Sequence, residues 1–232
     1  MAAVAFAAGA QGAFALGPLP FIEDFATNRA NWLDGASANA TWLPTGGVGD
    51  GAYISATGTV VASGFGTIVF RGNAGADASG DAFVGNWISG GVSNFSAFVR
   101  HNAPSELGIF ARLDAGGGRA ASSIGFTVAP NAWTSLSIPI LDSVGSFQSY
   151  GQANPPSGAV PSPAGFNAIF GSMQNIQFVV APNIGLANQT FTFDVDQISV
   201  VPEPGAWGLV AAGLAALGFQ RLCRFRSKRN QP

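Results

Sequence analysis

The chain has 232 residues, of which 9% are charged and 11% aromatic, and it contains 32 glycines. So little charge excludes a bundle of amphipathic helices, because exposed helix faces need Glu, Lys and Arg. Half of the ten basic residues lie in the last twelve positions. The body, residues 16–201, is therefore acidic by about six charges and lacks the cations that neutralise phosphates. We expect no nucleic-acid partner.

Residues 1–15 are predicted to be a secretory signal peptide. The apolar run MAAVAFAAGA is followed by Ala13, Phe14 and Ala15, an A-x-A pattern, and we place cleavage after Ala15. No Lys or Arg precedes the apolar run, so either the true start codon lies upstream or the signal is weak. The alternative is a flexible, alanine-rich leader.

The body is predicted to be one all-β domain, an antiparallel β-sandwich of the jelly-roll type with about ten strands. Apolar and polar residues alternate in segments such as NFSAFVRH and TFTFDV, as in half-buried antiparallel strands. Glycine, asparagine and proline turn signals separate these segments. The predicted strands are residues 20–25, 52–56, 66–70, 82–88, 94–101, 107–113, 122–128, 133–140, 175–180 and 190–200. One short helical turn is predicted at residues 166–173.

The C-terminal segment, residues 202–232, resembles the PEP-CTERM sorting signal of Gram-negative bacteria. Pro202, Glu203 and Pro204 are followed by the uncharged stretch GAWGLVAAGLAALGFQ and then by five basic residues. That stretch is shorter than the ~20 residues of an ordinary spanning helix. A single short transmembrane helix is therefore predicted, with its basic end in the cytoplasm by the positive-inside rule.

The resemblance implies a sorting route. An exosortase would recognise the motif and remove the tail, so that an inner-membrane precursor becomes a protein of the cell surface, biofilm or extracellular matrix. The two prolines block helix and present Glu203 in extended backbone. The alternative is an ordinary C-terminal tail anchor.

A second resemblance concerns the body. The opening FIEDFATNRANW, a strand starting at Trp133 and the closing DQISV are similar to carbohydrate-binding modules and laminin-type jelly rolls. This resemblance implies a non-catalytic body that is structural or binds polysaccharide, with the host's exopolysaccharide as the candidate partner.

Four carboxylates are candidate calcium ligands. Glu23 and Asp24 lie in the opening segment and Asp194 and Asp196 in the closing strand, so they gather if these two strands are neighbours. Hard oxygen ligands suit Ca²⁺, and the resembled modules often hold a structural calcium there, with Asp196 the best match. The alternative interpretation is that all four are solvent-facing residues of edge strands.

Four tryptophans of the body are sorted by their neighbours in the sequence. Trp32 and Trp133 are predicted to lie in the core. Trp42 and Trp87 lie near glycine-rich turns and are the candidates for stacking on sugar rings.

No motif for an enzyme is present. The sequence has neither a G-x-S-x-G elbow nor an H-E-x-x-H pair, and its one histidine, His101, is predicted to be a polar residue at a strand end. A glycosidase needs two positioned carboxylates, whereas most acidic residues here lie singly in predicted loops. No catalytic residue is assigned, and the alternative function is a secreted polysaccharide hydrolase.

Overall fold

The computed structural model describes residues 16–141, 146–150 and 162–202. In this part of the chain two antiparallel sheets pack face to face, which confirms the predicted β-sandwich. The strands are β1 (Phe21–Glu23), β2 (Leu33–Asp34), β3 (Thr41–Leu43), β4 (Tyr53–Thr59), β5 (Thr67–Asn73), β6 (Val92–His101), β7 (Leu107–Asp114), β8 (Ala120–Ser123), β9 (Phe126–Val128), β10 (Thr134–Pro139), β11 (Phe147–Tyr150), β12 (Asn175–Val180) and β13 (Thr190–Pro202).

The two sheets divide the strands between them. Sheet A has the order β10-β6-β13-β4-β3, and β1 also pairs with β13. Sheet B has the order β11-β8-β7-β12-β5-β2, and β9 also pairs with β7. The opening and closing strands are thus neighbours, with Glu23 opposite Ile198, which is the condition under which the four carboxylates are expected to gather.

The core lies between the two sheets and follows from the alternation of side chains. In β6, Phe95, Ala97 and Val99 are buried, while the residues between them face outward. In β12, Ile176 and Phe178 belong to the core and Gln177 lies on the outer face. Each sheet therefore has one apolar face and one face with polar side chains.

One predicted strand, residues 82–88, is wrong. Positive φ angles at Asp81 (57°) and Gly85 (128°) turn the backbone there. The segment forms turns in which Val84 N–H donates to Asp81 O at 2.9 Å. The apolar run of this segment reflects burial in a turn and not a strand.

Other predictions need smaller corrections. The predicted strand 122–128 is two strands, β8 and β9, separated by Ile124 and Gly125, and both pair with β7. The helix α1 spans Pro163–Phe170, three residues before the predicted turn. Ser162 caps it by accepting a hydrogen bond from Gly165 N–H at 3.1 Å, and Pro163 favours the first helical position.

No helix among the described residues is long and apolar enough to span a membrane. The predicted signal peptide and the predicted transmembrane helix both lie outside the described residues.

Candidate functional site

A polar cleft of about 410 Å³ lies at one end of the outer face of sheet B. We call it the sheet B cleft. It forms where β5, β7 and β12 end side by side, with Asn175 paired to both Asn73 and Asp114. The side chains and loop residues that line it are Asn73, Asp114, Gln174, Asn175, Ala74, Gly75, Gly116, Gly117 and Gly118.

A glycine turn between β7 and β8 forms one wall of this cleft. Gly116, Gly117 and Gly118 have φ angles of 73°, 59° and 79°, a left-handed conformation that side chains rarely adopt. A Cβ on Gly116 would lie 2.5 Å from Gln174 Oε1. Glycine therefore lets the backbone of the turn approach the amide of Gln174 closely.

Asn175 carries an unsatisfied acceptor. Its Oδ1 is buried and has no hydrogen-bond partner among the residues that the structure describes. Burying a carbonyl without a donor costs about 1–3 kcal/mol. A ligand that donates a hydrogen bond to this oxygen would remove that cost.

Beside the cleft, three planar polar side chains form a row across the outer face of sheet B. Arg71, Gln177 and Arg112 lie on adjacent strands at the same register. Arg112 Nη1 donates to Gln177 Oε1 at 3.1 Å, and the Arg112 guanidinium forms an ion pair with Asp114. We call these three residues the sheet B row.

Neighbouring groups influence the pKa of the Arg71 guanidinium and hold this side chain in place. Burial lowers the pKa of the Arg71 guanidinium, the nearby Arg112 lowers it further, and Asp34 acts in the opposite direction. The Nε of Arg71 also donates to Gly35 O at 3.3 Å. The two guanidinium groups therefore lie close together on the outer surface with their positions constrained.

The sequence analysis missed this row, although a signal for it exists. Each of the strands TIVFRGN, LGIFARLD and NIQFVV carries one long polar side chain among apolar residues. Only the register between the strands shows that Arg71, Arg112 and Gln177 meet.

Two of the tryptophan predictions are wrong. Trp87 is fully buried and its Nε1–H donates to Phe83 O at 2.8 Å, so its ring is not available to a sugar. Trp133, predicted in the core, lies half-exposed on the outer face of sheet A beside Arg100. The glycines after Trp87 belong to a turn that closes over the core. A position near glycine in the sequence therefore does not indicate that a side chain is exposed.

The other two tryptophans differ in burial. Trp32 is fully buried, as predicted, and donates its Nε1–H to Ser79 Oγ at 2.9 Å. Trp42 is half-buried against the core, and its Nε1–H donates to Phe25 O at 2.7 Å. A role of Trp42 in sugar binding stays a prediction.

The four candidate calcium ligands do not form one cluster. Among the described residues, no three His, Cys, Asp or Glu side chains are close enough together to hold a metal ion. Asp194 forms an ion pair with Arg100 at 2.8 Å. Glu23 and Asp24 accept hydrogen bonds from Phe25 N–H and Ala26 N–H in their own turn.

Both carboxylate oxygens of Asp196 accept backbone hydrogen bonds, Oδ2 from Val48 N–H at 2.8 Å and Oδ1 from Gln197 N–H at 2.7 Å. Asp196 is 1% exposed, and burial and the nearby Asp24 raise the pKa of its carboxyl group. A Cβ on Gly47 would lie 2.6 Å from Asp196 Oδ2, 2.7 Å from Gly51 O and 2.9 Å from Ala52 O. The loop therefore leaves no room for a side chain at Gly47, and a calcium role of Asp196 stays a prediction.

His101 ends β6, as predicted, but it is buried. It is 1% exposed, its Nε2 lies 2.9 Å from Val128 O, and its Nδ1 accepts a hydrogen bond from Ala103 N–H at 3.2 Å. This pattern requires the neutral ring with the proton on Nε2. These two hydrogen bonds explain how the polar ring of His101 is accommodated in a buried position.

Of the sorting motif, Pro202 is the last residue of β13. Glu203 and Pro204 lie outside the described residues, and their role stays a prediction.

The fold is an antiparallel β-sandwich with a polar cleft on the outer face of sheet B. Neither a family model nor a curated protein matches the chain. Among solved structures, an exo-β-agarase shares 9% identity with a TM-score of 0.52, over 78% of this chain and 24% of the agarase chain. At this identity, the likeness shows a shared fold alone.

Two further solved structures are similar at lower scores. A family 11 carbohydrate-binding module from Clostridium thermocellum shares 16% identity with a TM-score of 0.44, over 81% of this chain and 97% of that module. A Clostridium thermocellum xylanase containing a family 22 module shares 14% identity with a TM-score of 0.46, over 79% of this chain and 28% of the xylanase chain. The chain thus spans about a quarter of the length of the two enzymes.

Proposed function

We propose that this chain is an exported, non-catalytic protein that binds extracellular polysaccharide through the sheet B cleft. The observation that carries the proposal is the unsatisfied Asn175 Oδ1 in a cleft lined by amides and one carboxylate. The β-sandwich fold shared with the agarase is compatible with this function.

The chemistry of the cleft suits a sugar. Amide side chains such as Asn73 and Gln174 both donate and accept hydrogen bonds, as sugar hydroxyl groups do. The Arg71 and Arg112 guanidinium groups of the sheet B row extend this polar surface along the sheet, whereas Gln177 between them is 3% exposed. The apolar ring of Phe65 lies 5.9 Å from the Arg112 guanidinium. An extended polymer can therefore contact the cleft and the row together.

A hydrolase is the second candidate, and the cleft gives less support to it. Glycoside hydrolysis uses two carboxylates that flank the bond to be cleaved. Asp114 is the acidic side chain in the described lining, and it is occupied by Arg112 at 2.6 Å and by Gly116 N–H at 2.6 Å. One carboxylate that is already paired in this way does not supply the two flanking carboxylates that hydrolysis uses.

One experiment separates the two candidates. The full chain, kept in mild detergent, is incubated with soluble xylan, mixed-linked β-1,3-1,4-glucan and agarose, and both co-sedimentation and reducing ends are measured. We expect retention on at least one polymer without release of reducing ends. Asn175→Ala should weaken retention at least tenfold, whereas Thr127→Ala, on an exposed position of β9, should not.

Two outcomes would contradict the proposal. Sustained release of oligosaccharides that stops after Asp114→Asn would establish the hydrolase. Retention equal in wild type and Asn175→Ala would place any binding elsewhere on the molecule.

The export route is part of the proposal and rests on the sequence. Strand β13 ends at Pro202, which is the first residue of the motif. In the native host, mass spectrometry should find mature protein that lacks the residues after the motif. Glu203→Ala should leave unprocessed precursor in the inner membrane, and Glu106→Ala, in an exposed loop, is the matched control. An intact C-terminus on exported protein would contradict this route.

A further inference from the structure

A second polar cleft, of about 250 Å³, lies on the outer face of sheet A. We call it the sheet A cleft. It forms where β6 ends beside β13 and the loop before β10 folds over them, with Asn131 N–H donating to His101 O at 2.7 Å. Its lining is Arg100, His101, Asn102, Asn131, Thr192 and Asp194.

This cleft also contains a buried acceptor without a partner. Asp194 is 7% exposed, and its Oδ1 has no hydrogen-bond partner within the described part of the chain. Its other oxygen, Oδ2, accepts hydrogen bonds from Arg100 Nε at 2.8 Å and lies 2.8 Å from Arg100 Nη2. Arg100 already balances the negative charge of the Asp194 carboxylate, so its unpartnered Oδ1 suits a neutral hydrogen-bond donor.

Arg100 is held in place before any ligand binds. Its guanidinium carbon lies 4.4 Å from the centroid of the Trp133 ring and 5.0 Å from that of the Tyr53 ring, and its Nη1 donates to Gly46 O at 3.1 Å. A side chain that is already ordered loses little conformational entropy on binding. The polar wall of the cleft is therefore pre-formed.

The charges of the cleft select the class of ligand. A metal cation is disfavoured by the guanidinium of Arg100, and an anion is disfavoured by Asp194. The amides of Asn102 and Asn131 and the hydroxyl group of Thr192 offer both donors and acceptors. A neutral molecule with several hydroxyl groups fits this lining.

We propose that the sheet A cleft is a second sugar-binding site, so that one molecule bridges two polysaccharide chains. Its volume lies below the ~300–1,000 Å³ of typical ligand pockets, which suits one or two sugar units. The two clefts lie on opposite outer faces of the sandwich. One short, rigid segment of polymer therefore cannot occupy both clefts. The polymer class rests on the proposed function of the sheet B cleft, whereas the second site rests on the residues of sheet A.

Two variants remove ligand contacts from the sheet A cleft with little effect on folding. Asn131 has a φ of 57°, so Asn131→Gly removes the amide and keeps a residue that favours this backbone. Thr192→Val removes the hydroxyl group and keeps a β-branched residue in β13. Thr57→Val, at an exposed position of β4 on the same face, is the matched control.

The test uses the full chain in mild detergent with beads that carry xylan, mixed-linked β-1,3-1,4-glucan or agarose. We expect wild-type protein to aggregate beads of the polymer it binds. The double variant Asn131→Gly/Thr192→Val should retain binding but lose aggregation, with at least tenfold weaker retention through lost avidity. In calorimetry with an oligosaccharide of that polymer, the stoichiometry should fall from two to one.

The outcomes separate the second site from the proposed function. Aggregation by the double variant that equals wild type and the Thr57→Val control would overturn the second site. Complete loss of binding in Asn175→Ala alone would also overturn it, and would leave the sheet B cleft as the single site. No binding of wild type to any of the three polymers would contradict both.

Discussion

Arg100 and Trp133 contact each other on the outer face of sheet A, with 4.4 Å between the guanidinium carbon and the ring centroid. Both side chains also donate to the same acceptor, Gly46 O, from Arg100 Nη1 at 3.1 Å and Trp133 Nε1 at 3.3 Å. The pair thereby joins two loops to strands β6 and β13. Because Arg100 also pairs with Asp194, one cation organises a large part of this face.

The first prediction concerns this ion pair. Arg100→Met keeps the length of the side chain but leaves Asp194 buried without its partner, so the free energy of unfolding should fall by about 3 kcal/mol. Urea denaturation measures the change. Arg119→Met, in an exposed loop, should change stability by less than about 0.5 kcal/mol.

A double variant checks the cause of that loss. Arg100→Met/Asp194→Leu removes both charges and should be more stable than Arg100→Met alone. If the single and double variants are equally destabilised, the lost contacts of Arg100 with the aromatic rings explain the effect, and the ion pair does not.

The second prediction assigns Trp87 to stability and not to binding. Trp87→Ala removes a fully buried ring that stacks with Phe95 at 6.0 Å, and it should cost about 3–5 kcal/mol. Trp87→Phe should fold and retain wild-type co-sedimentation with polysaccharide. A folded Trp87→Phe protein that no longer binds would restore Trp87 as a ligand contact.

The fold is predictable where one face of a strand is buried over several residues. Strands β6, β12 and β13 lie within two residues of their predicted bounds, because β6 and β13 contain segments that alternate with period two and β12 is a short run of mostly apolar residues. Strand β2, Leu33–Asp34, has two residues, which is too short to show any period.

The candidate site was less predictable, for two reasons. The orientation of Trp133 follows from parity, since Leu136 and Ile138 point inward and an odd-numbered neighbour must point outward. The orientation of Trp133 is therefore predictable from the sequence. The meeting of Arg71, Gln177 and Arg112 depends on the order of strands in sheet B, which no local pattern specifies.

The third prediction concerns pH. Burial lowers the pKa of the His101 imidazole, opposed by its hydrogen bond with Val128 O. The unfolded chain, with a histidine pKa of about 6.5, therefore binds the proton more strongly than the folded chain. His101 contributes its full stability above that pH, and this contribution is lost as pH falls through the folded value.

The measurement is the free energy of unfolding between pH 7.5 and 5 by urea denaturation. We expect a decrease of about 1.4 kcal/mol for each unit by which folding lowers the pKa. Since His101 is the one histidine in the chain, His101→Gln should flatten the curve in this range. An unchanged slope in His101→Gln would assign the pH dependence to carboxyl groups.

The last prediction concerns calcium at Asp196. Asp196 is a buried carboxylate near Asp24, and carboxylate oxygens are ligands that Ca²⁺ prefers. A bound ion would offset the cost of burial, and the smaller repulsion by Asp24, that raise the pKa of Asp196. Calcium at 100 times its dissociation constant should stabilise the fold by about 2.7 kcal/mol. The melting temperature of the full chain should therefore be higher in calcium than in excess EDTA.

Asp196→Asn should abolish this difference, whereas Asp77→Asn, an exposed residue elsewhere on the body, should leave it intact. Asp194→Asn should also leave it intact, because Arg100 already neutralises Asp194. Equal melting temperatures of the wild type in calcium and in EDTA would exclude an accessible calcium site coupled to folding.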